Sequence, residues 1–389
     1  MRWANLALVL GEIAAGPCSR AAVAASTGLT RAAVSSLVEE LLAAGLLTEA
    51  GRSAPNGRVG RPGSELRLSQ DGPAGLGGEI GVEHLAACVV DLRGEVRSWH
   101  RREVGNRGRS PAAVLADLAE LLRLAAEEAG LHPAGLALAV PGLVRSAEGM
   151  IEGAANLGWA EVPVATELRL ALRAAGAPEL AALPVEVGNE ANLGGLAEFW
   201  LAGRPDDFCH LSAEAGIGSA IVIGGQLLRG ARGFAGELGH LTVWPDGPRC
   251  ACGARGCLEQ YAGETAVLRA AGLTGVGGDW VALLAERAAG GDREVLAALA
   301  GAGTALGIAA AGAVNLLDPQ AVVLGGGYAE LGEWLLPTMR AELAARVTAR
   351  PWDDSWLSVS PLGRRGPLLG AAVGVVRRII ADPGAYAGG

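Results

Sequence analysis

The chain has 389 residues, 50% of them hydrophobic and 19% charged, which excludes global disorder and points to two or three domains. A net charge of -9 excludes a protein that coats nucleic acid along its whole surface. The charge is uneven, with +2 over residues 1–70 against -11 for the rest, so the N-terminal segment is the candidate nucleic-acid contact.

Residues 1–50 read as three short helices. Leu6, Val9, Leu10 and Ile13 share a face at helical spacing, and Gly16-Pro17 ends that helix. Ser19 caps a second helix carrying Val23 and ending at Thr27-Gly28. Thr30 caps a third, with Val34, Leu37, Val38, Leu41 and Leu42 on its buried side before Gly45. Residues 51–70 are rich in Gly, Arg and Pro, with Leu66 and Leu68 alternating, which predicts a two-stranded wing. The start, Met1-Arg2 then Ala4–Leu10, has the look of a secretory leader. Asn5 and Glu12 interrupt it, and the next helices need it as a partner, so a cytoplasmic location is expected.

From Gly77 the pattern becomes α/β. Glu79–Asp91 and Gly135–Val140 read as apolar strands, and Leu115–Ala129 as an amphipathic helix. Phe208–Ile223, an Ala-rich helical region around 281–316, and a strand Ala321–Leu324 ending in Gly325-Gly326-Gly327 follow. No run of eighteen apolar residues escapes a polar or helix-breaking interruption, so no membrane span is expected.

Two motifs carry chemistry. The first places two helices around the turn Ser26-Thr27-Gly28-Leu29, followed by a wing with Arg52, Arg58 and Arg61 kept slim by Gly57, Gly60 and Pro62. Arg20, Thr30, Arg31, Ser35, Ser36, Arg58 and Arg61 are the candidate contacts to double-stranded DNA. A helical bundle used only for dimerisation is the competing reading.

The second motif is His240 followed by Cys250, Cys252 and Cys257. One imidazole and three thiolates match a closed tetrahedral zinc site, which is structural rather than catalytic. Reduced surface thiols or a redox pair are the alternatives. Cys18, Cys88 and Cys209 sit in apolar runs and read as core residues. Glu237 and Glu259 flank the ligands, where they can accept hydrogen bonds from a polyol.

The segment Glu237–Glu259 resembles the signature of the ROK family (repressors, open reading frames and sugar kinases), and the resemblance extends over the chain. It implies an α/β fold: a winged helix-turn-helix over 1–70, then a two-lobed actin/hexokinase-like, ribonuclease-H-like domain over 75–389. Lobe one is implied at about 75–188 plus a C-terminal helix at about 370–389, and lobe two at about 189–369. Carried over residue by residue, Asn156, Asn189, Glu190, Glu237, His240 and Glu259 are implied to bind sugar.

Departures from the family's kinases bear on activity. Glu190 stands where those members have a catalytic Asp, and Glu79-Ile80-Gly81-Val82-Glu83 where they have the phosphate loop Asp-x-Gly-Gly-Thr. A phosphate would meet carboxylates there instead of backbone N–H groups. Gly216-Ile217-Gly218-Ser219-Ala220 keeps part of a second phosphate segment, and Gly325–Gly327 looks intact. The expectation is therefore a sugar-responsive regulator without catalysis, with an ATP-dependent sugar kinase carrying a DNA-binding head as the alternative. Asn189-Glu190-Ala191-Asn192 resembles the xylose-responsive branch, implying D-xylose or a related aldose such as glucose as effector. The implied partners are operator DNA and a second copy, as a homodimer or homotetramer.

Overall fold

A computed structural model of the chain describes residues 2–50, 64–214, 216–275 and 278–387. The wing positions Arg52, Arg58 and Arg61 lie outside the described residues.

The head builds on capped helices. Helix α1 (Arg2–Ala15) buries Leu6, Val9, Leu10 and Ile13, the stripe that the i, i+3, i+4, i+7 spacing dictates. After β1 (Cys18–Ser19), the Ser19 hydroxyl accepts the Ala22 N–H at 3.2 Å and starts α2 (Arg20–Thr27). Gly28 turns left-handed at φ 70°, and Thr30 Oγ1 accepts the Ala33 N–H at 3.2 Å to start α3 (Arg31–Ala43). The two helices meet at 118°, within the helix-turn-helix range. Strands β2 (Leu47–Ala50) and β3 (Glu65–Leu68) pair antiparallel, with β1 on the far edge of β3.

Lobe one opens with an antiparallel meander, β4 (Ala74–Ile80), β5 (His84–Val90) and β6 (Val96–Glu103). Sequence patterning suggested one strand over Glu79–Asp91; the structure has two. The Gly81 N–H donates to the His84 carbonyl at 3.0 Å and closes a turn. β4 and β5 are buried along their whole length, so no polar alternation marks the break. Helix α4 (Pro111–Ala129) leads to β7 (Pro133–Val140), parallel to β4. A small sheet of β8 (Leu143–Arg145), β9 (Met150–Ala154) and β10 (Trp159–Val162) follows. Helices α5 (Val164–Ala174) and α6 (Pro178–Ala181) then precede β11 (Val185–Asn189), parallel to β7.

Helix α7 (Glu190–Leu201) leads into lobe two, where β12 (Phe208–Ala213), β13 (Ile217–Ile223) and β14 (Gln226–Leu227) form a second meander. Its helices are α8 (Glu259–Ala262), α9 (Glu264–Ala270), α10 (Trp280–Ala289) and α11 (Arg293–Leu317). Then come β15 (Ala321–Gly326), α12 (Gly327–Glu330), α13 (Gly332–Arg346) and β16 (Leu357–Val359). The sheet orders, β6-β5-β4-β7-β11 and β14-β13-β12-β15-β16, are one topology used twice. Three antiparallel strands are extended by two parallel ones on the first strand's free edge. This is the two-lobed ribonuclease-H-like architecture. α11 has the length and apolar composition of a membrane span, but Leu299, Leu306 and Val314 lie in the lobe-two core.

Helix α14 (Gly366–Ala381) returns to lobe one, and α15 (Gly384–Ala387) closes the described chain. A Cβ on Gly77 of β4 would lie 2.9 Å from the Leu368 carbonyl oxygen, so only glycine lets α14 lie this close to the sheet. Val373, Val376 and Ile379 of α14 share one apolar cluster with Leu6, Val9 and Leu10 of the head and with Cys88 and Val90 of β5. The head is therefore packed onto lobe one.

Candidate functional site

A cleft of about 1440 Å³ separates the lobes, and Asn156, Asn189, Glu190, Glu237, His240 and Glu259 all line it. Asn156 comes from the turn between β9 and β10, whose shape is held by the Gly158 N–H donating to the Ala154 carbonyl at 3.0 Å. Asn189 ends β11 and caps α7: its Oδ1 accepts the Asn192 N–H at 3.1 Å and its Nδ2 donates to the Gly142 carbonyl at 2.9 Å. Glu259 opens α8, and its Oε2 accepts the Ile217 N–H at 3.3 Å. A Cβ built on Gly216 would fall 2.7 Å from Glu259 Oε2 and 3.4 Å from Asn156 Nδ2. A lobe-one amide and a lobe-two carboxylate thus face the same small space, kept open by a glycine.

Two of the cleft carboxyls, Glu190 and Glu237, hold protons more tightly than in water. Burial pushes Glu190 well above its ordinary value, and repulsion from Glu214 and Glu79 adds to the shift. Burial raises Glu237 too, with His240 opposing and Glu259 reinforcing. A carboxyl with its proton can donate as well as accept a hydrogen bond, which suits a ligand made of hydroxyls.

His240, Cys250, Cys252 and Cys257 converge, with their ligand atoms all within 4.8 Å of one another. Cys250 Sγ is 3.8 Å from His240 Nδ1, and Cys252 Sγ is 3.7 Å from Cys257 Sγ. A tetrahedron with metal–sulfur bonds of about 2.3 Å has edges of about 3.8 Å, so the donor set fits a four-coordinate metal. Gly253 at φ 93° and Gly256 at φ 67° supply the reversals that bring Cys252 and Cys257 together. Hydrogen bonds from the Ala254 backbone and the neighbouring thiols hold Cys252 below its ordinary value, favouring the thiolate that a metal requires. This cluster could hold a metal. With Nδ1 turned to the thiols, Nε2 is the His240 nitrogen left for the cleft.

Glu79 and His84 are both buried, with His84 Nε2 3.3 Å from Glu79 Oε1. The glycines of Gly325–Gly327 have packing partners: a Cβ on Gly325 would run into the His210 ring, one on Gly326 would lie 3.2 Å from Glu214 Oε1, and one on Gly327 2.6 Å from a Val281 methyl. Close packing accounts for this glycine run without a phosphate.

On the head, Arg31, Ser35 and Ser36 are exposed on one side of α3, opposite the buried Val34, Leu37, Val38 and Leu41. Thr30 is exposed at the cap. Arg20 is occupied by Glu39 at 2.7 Å and Glu49 at 2.5 Å, so a phosphate contact through it would break two ion pairs. Arg58 and Arg61 fall outside the described residues.

Sequence reasoning passed over one cleft group and one buried carboxyl. Asn192 lines the cleft with its Oδ1 buried and unpartnered among the described residues; its position one turn after Asn189 was the available signal. Glu214, raised to about 7 by burial, follows β12 with no pattern to mark it.

The profile of the ROK family matches residues 76–378, and that of the MarR family residues 7–58. The xylose repressor of Bacillus subtilis (strain 168) is 30% identical over 370 residues, covering 94% of this chain and 93% of that protein. A glucokinase of Halalkalibacterium halodurans is 32% identical over 61% of this chain and 74% of its own length. Among solved structures, a ROK family transcriptional regulator described as a homolog of the E. coli MLC protein superposes with a TM-score of 0.78 at 24% identity, covering 100% of this chain and 99% of that one. The match of both lobes in sequence and topology means that the chain belongs to the ROK family, with a MarR-type winged helix at its N-terminus.

Proposed function

We propose that this protein is a sugar-responsive transcriptional repressor that binds operator DNA through its head and a small aldose, D-xylose first among candidates, in the interlobe cleft. The observation that carries the reading is the meeting of Asn156 and Glu259 across Gly216 in a chain that also bears a helix-turn-helix. A sugar held between them touches both lobes at once, so its binding favours one lobe arrangement over another. Similarity to xylose repressors over 94% of the chain supports the same reading.

In this mechanism Asn156, Glu259 and Glu237 take ring hydroxyls, and the protonated Glu190 donates rather than abstracts. Zinc, when bound by His240, Cys250, Cys252 and Cys257, supplies a closed coordination sphere with no position for substrate. Those ligands fix the loop from which Glu259 follows, two residues after Cys257. Exposed Arg31, Ser35 and Ser36 face the major groove, and two heads in a homodimer read half-sites about 34 Å apart. Phosphotransfer is absent from this reading, because Glu79 and His84 fill the turn that a phosphate would need.

A thermal-shift screen against pentoses, hexoses and N-acetylhexosamines tests the cleft. A ligand at 100 times its Kd stabilises by about 2.7 kcal/mol. Stabilisation by an aldose that Asn156→Ala abolishes is expected; no shift with any sugar would overturn the assignment.

A further inference from the structure

We propose that the cleft holds a second sugar subsite beside the first, and that the effector is a glycoside of at least two rings. The inference rests on the sugar-responsive reading above and names the ligand class of the same cleft.

The wall that carries the first site runs on past it. Asn189 Nδ2 donates to the Gly142 carbonyl at 2.9 Å, which ties this residue to the start of the β8–β9 hairpin. The cleft lining continues along that hairpin to Arg145 of β8, Glu148 of the turn and Glu152 of β9. At the usual strand rise Arg145 lies about 10 Å beyond Gly142, further than one pyranose ring reaches. Arg145 pairs with Glu148 at 2.8 Å and with Glu152 at 2.9 Å, so the three groups hold one another in place. Their remaining N–H groups and carboxylate lone pairs suit hydroxyls. All three stand on lobe one with Asn156 and Asn189, so lobe closure narrows the cleft without shortening this wall.

Lobe two supplies the facing wall, the loop between β14 and Glu237. Leu228 N–H donates to the Ile221 carbonyl at 2.8 Å and Ala235 N–H to the Arg229 carbonyl at 3.1 Å, which closes the loop on itself beside β13. Its tip crosses to lobe one. A Cβ on Gly233 would lie 3.9 Å from the carbonyl oxygen of Val144, the residue before Arg145. Phe234, next to that contact, lines the cleft half-buried, with the Arg232 guanidinium 5.9 Å from its ring centroid. The chain has only three phenylalanines, and this one belongs to none of the apolar clusters among the described residues. An aromatic ring on one wall and a guanidinium with two carboxylates on the other match a pyranose, which offers a C–H face and an edge of hydroxyls.

The size of the cleft fits the same ligand class. At about 1440 Å³ it exceeds the roughly 300–1,000 Å³ of pockets for drug-sized ligands, and a pentose or hexose is smaller than those ligands. Asn156, Gly216 and Glu259 account for one ring, and Arg145, Glu152 and Phe234 for the next.

Calorimetric titration of the full chain with D-xylose, D-glucose, xylobiose, cellobiose and maltose tests the subsite. At least one disaccharide should bind roughly tenfold or more tightly than its own monosaccharide. Phe234→Ala and Arg145→Ala should each remove that advantage and leave monosaccharide affinity within about twofold, which also shows that the variants are folded. Asn156→Ala should weaken both classes. Disaccharides that bind no more tightly than their monosaccharides, or a preference that survives both subsite variants, overturn the second subsite and leave the aldose site standing. If no sugar of either class binds, the sugar reading itself fails and the subsite falls with it. Should Arg145→Ala not fold, Phe234→Ala decides alone.

Discussion

His84 Nε2 lies 3.3 Å from Glu79 Oε1, and both side chains are buried at the turn between β4 and β5. In the proposed regulator reading, Glu79 stands where the resembling kinases have their phosphate loop, and a nucleotide phosphate there would face a carboxylate instead of backbone N–H groups. No ATP turnover with xylose or glucose is expected in a coupled assay. Turnover in the ordinary enzyme range of about 1–10³ s⁻¹ would contradict this. Glu190→Asp alone should not restore activity, because the obstruction lies at Glu79.

Removing a thiol should unmake the loop. Structural zinc contributes about 10–16 kcal/mol in small model systems, comparable to the whole stability of a domain at about 5–15 kcal/mol. Cys252→Ser should therefore lose the metal, lower the melting temperature and weaken sugar binding at least tenfold through Glu259. Elemental analysis of protein purified without chelator should give one zinc per chain, falling to near zero in the variant. A variant that binds sugar normally without metal would break the link between loop and cleft.

Stability should depend on pH through Glu214. Burial raises this carboxyl from 4.5 to about 7; Arg364 opposes the shift, Glu79 reinforces it, and His84 and Arg101 oppose it. A carboxyl that binds its proton more tightly when folded contributes stability that is complete below its unfolded value near 4.5 and is lost as pH rises through about 7. Glu214→Gln mimics the protonated form. It should melt higher than the natural chain at pH 8, by roughly 2–4 °C for each kcal/mol regained, and match it near pH 4.5. Equal melting temperatures at pH 8 would count against the buried charge.

The two N-terminal arginines should behave differently. Arg31 is exposed at the start of α3 with no carboxylate partner among the described residues, so Arg31→Ala should weaken operator binding and reduce the salt slope by about 1. Arg20 holds Glu39 and Glu49, and Arg20→Ala should cost about 0.2–1 kcal/mol of stability per pair while leaving the salt slope nearly unchanged. Salt titrations of operator binding, with melting curves alongside, separate the two roles.

Much of this molecule is legible in its sequence where one residue has one local job. Ser19, Gly28 and Thr30 punctuate the head because caps and left-handed turns admit few residue types, and the spacing of His240, Cys250, Cys252 and Cys257 carries its own geometry. Asn156, Asn189 and Glu190 were legible only through family resemblance, because Asn156 and Glu259 lie about a hundred residues apart and meet by topology. The break between β4 and β5 was hidden by burial on both faces of both strands. At Gly325–Gly327 the glycines also pack against His210, Glu214 and Val281, contacts that no local pattern encodes. The seat of the head on α14 was equally invisible, since α1 and α14 stand at opposite ends of the chain.

In the proposed function, sugar in the cleft governs the head's grip on DNA. Titration of labelled operator duplex from the protein's own upstream region, at fixed salt, with and without saturating D-xylose, tests it most directly. A coupling of about 1–3 kcal/mol predicts operator binding roughly 5–150-fold weaker with sugar, a difference that Asn156→Ala and Glu259→Ala erase. Equal affinity with and without a sugar shown to occupy the cleft would contradict the account.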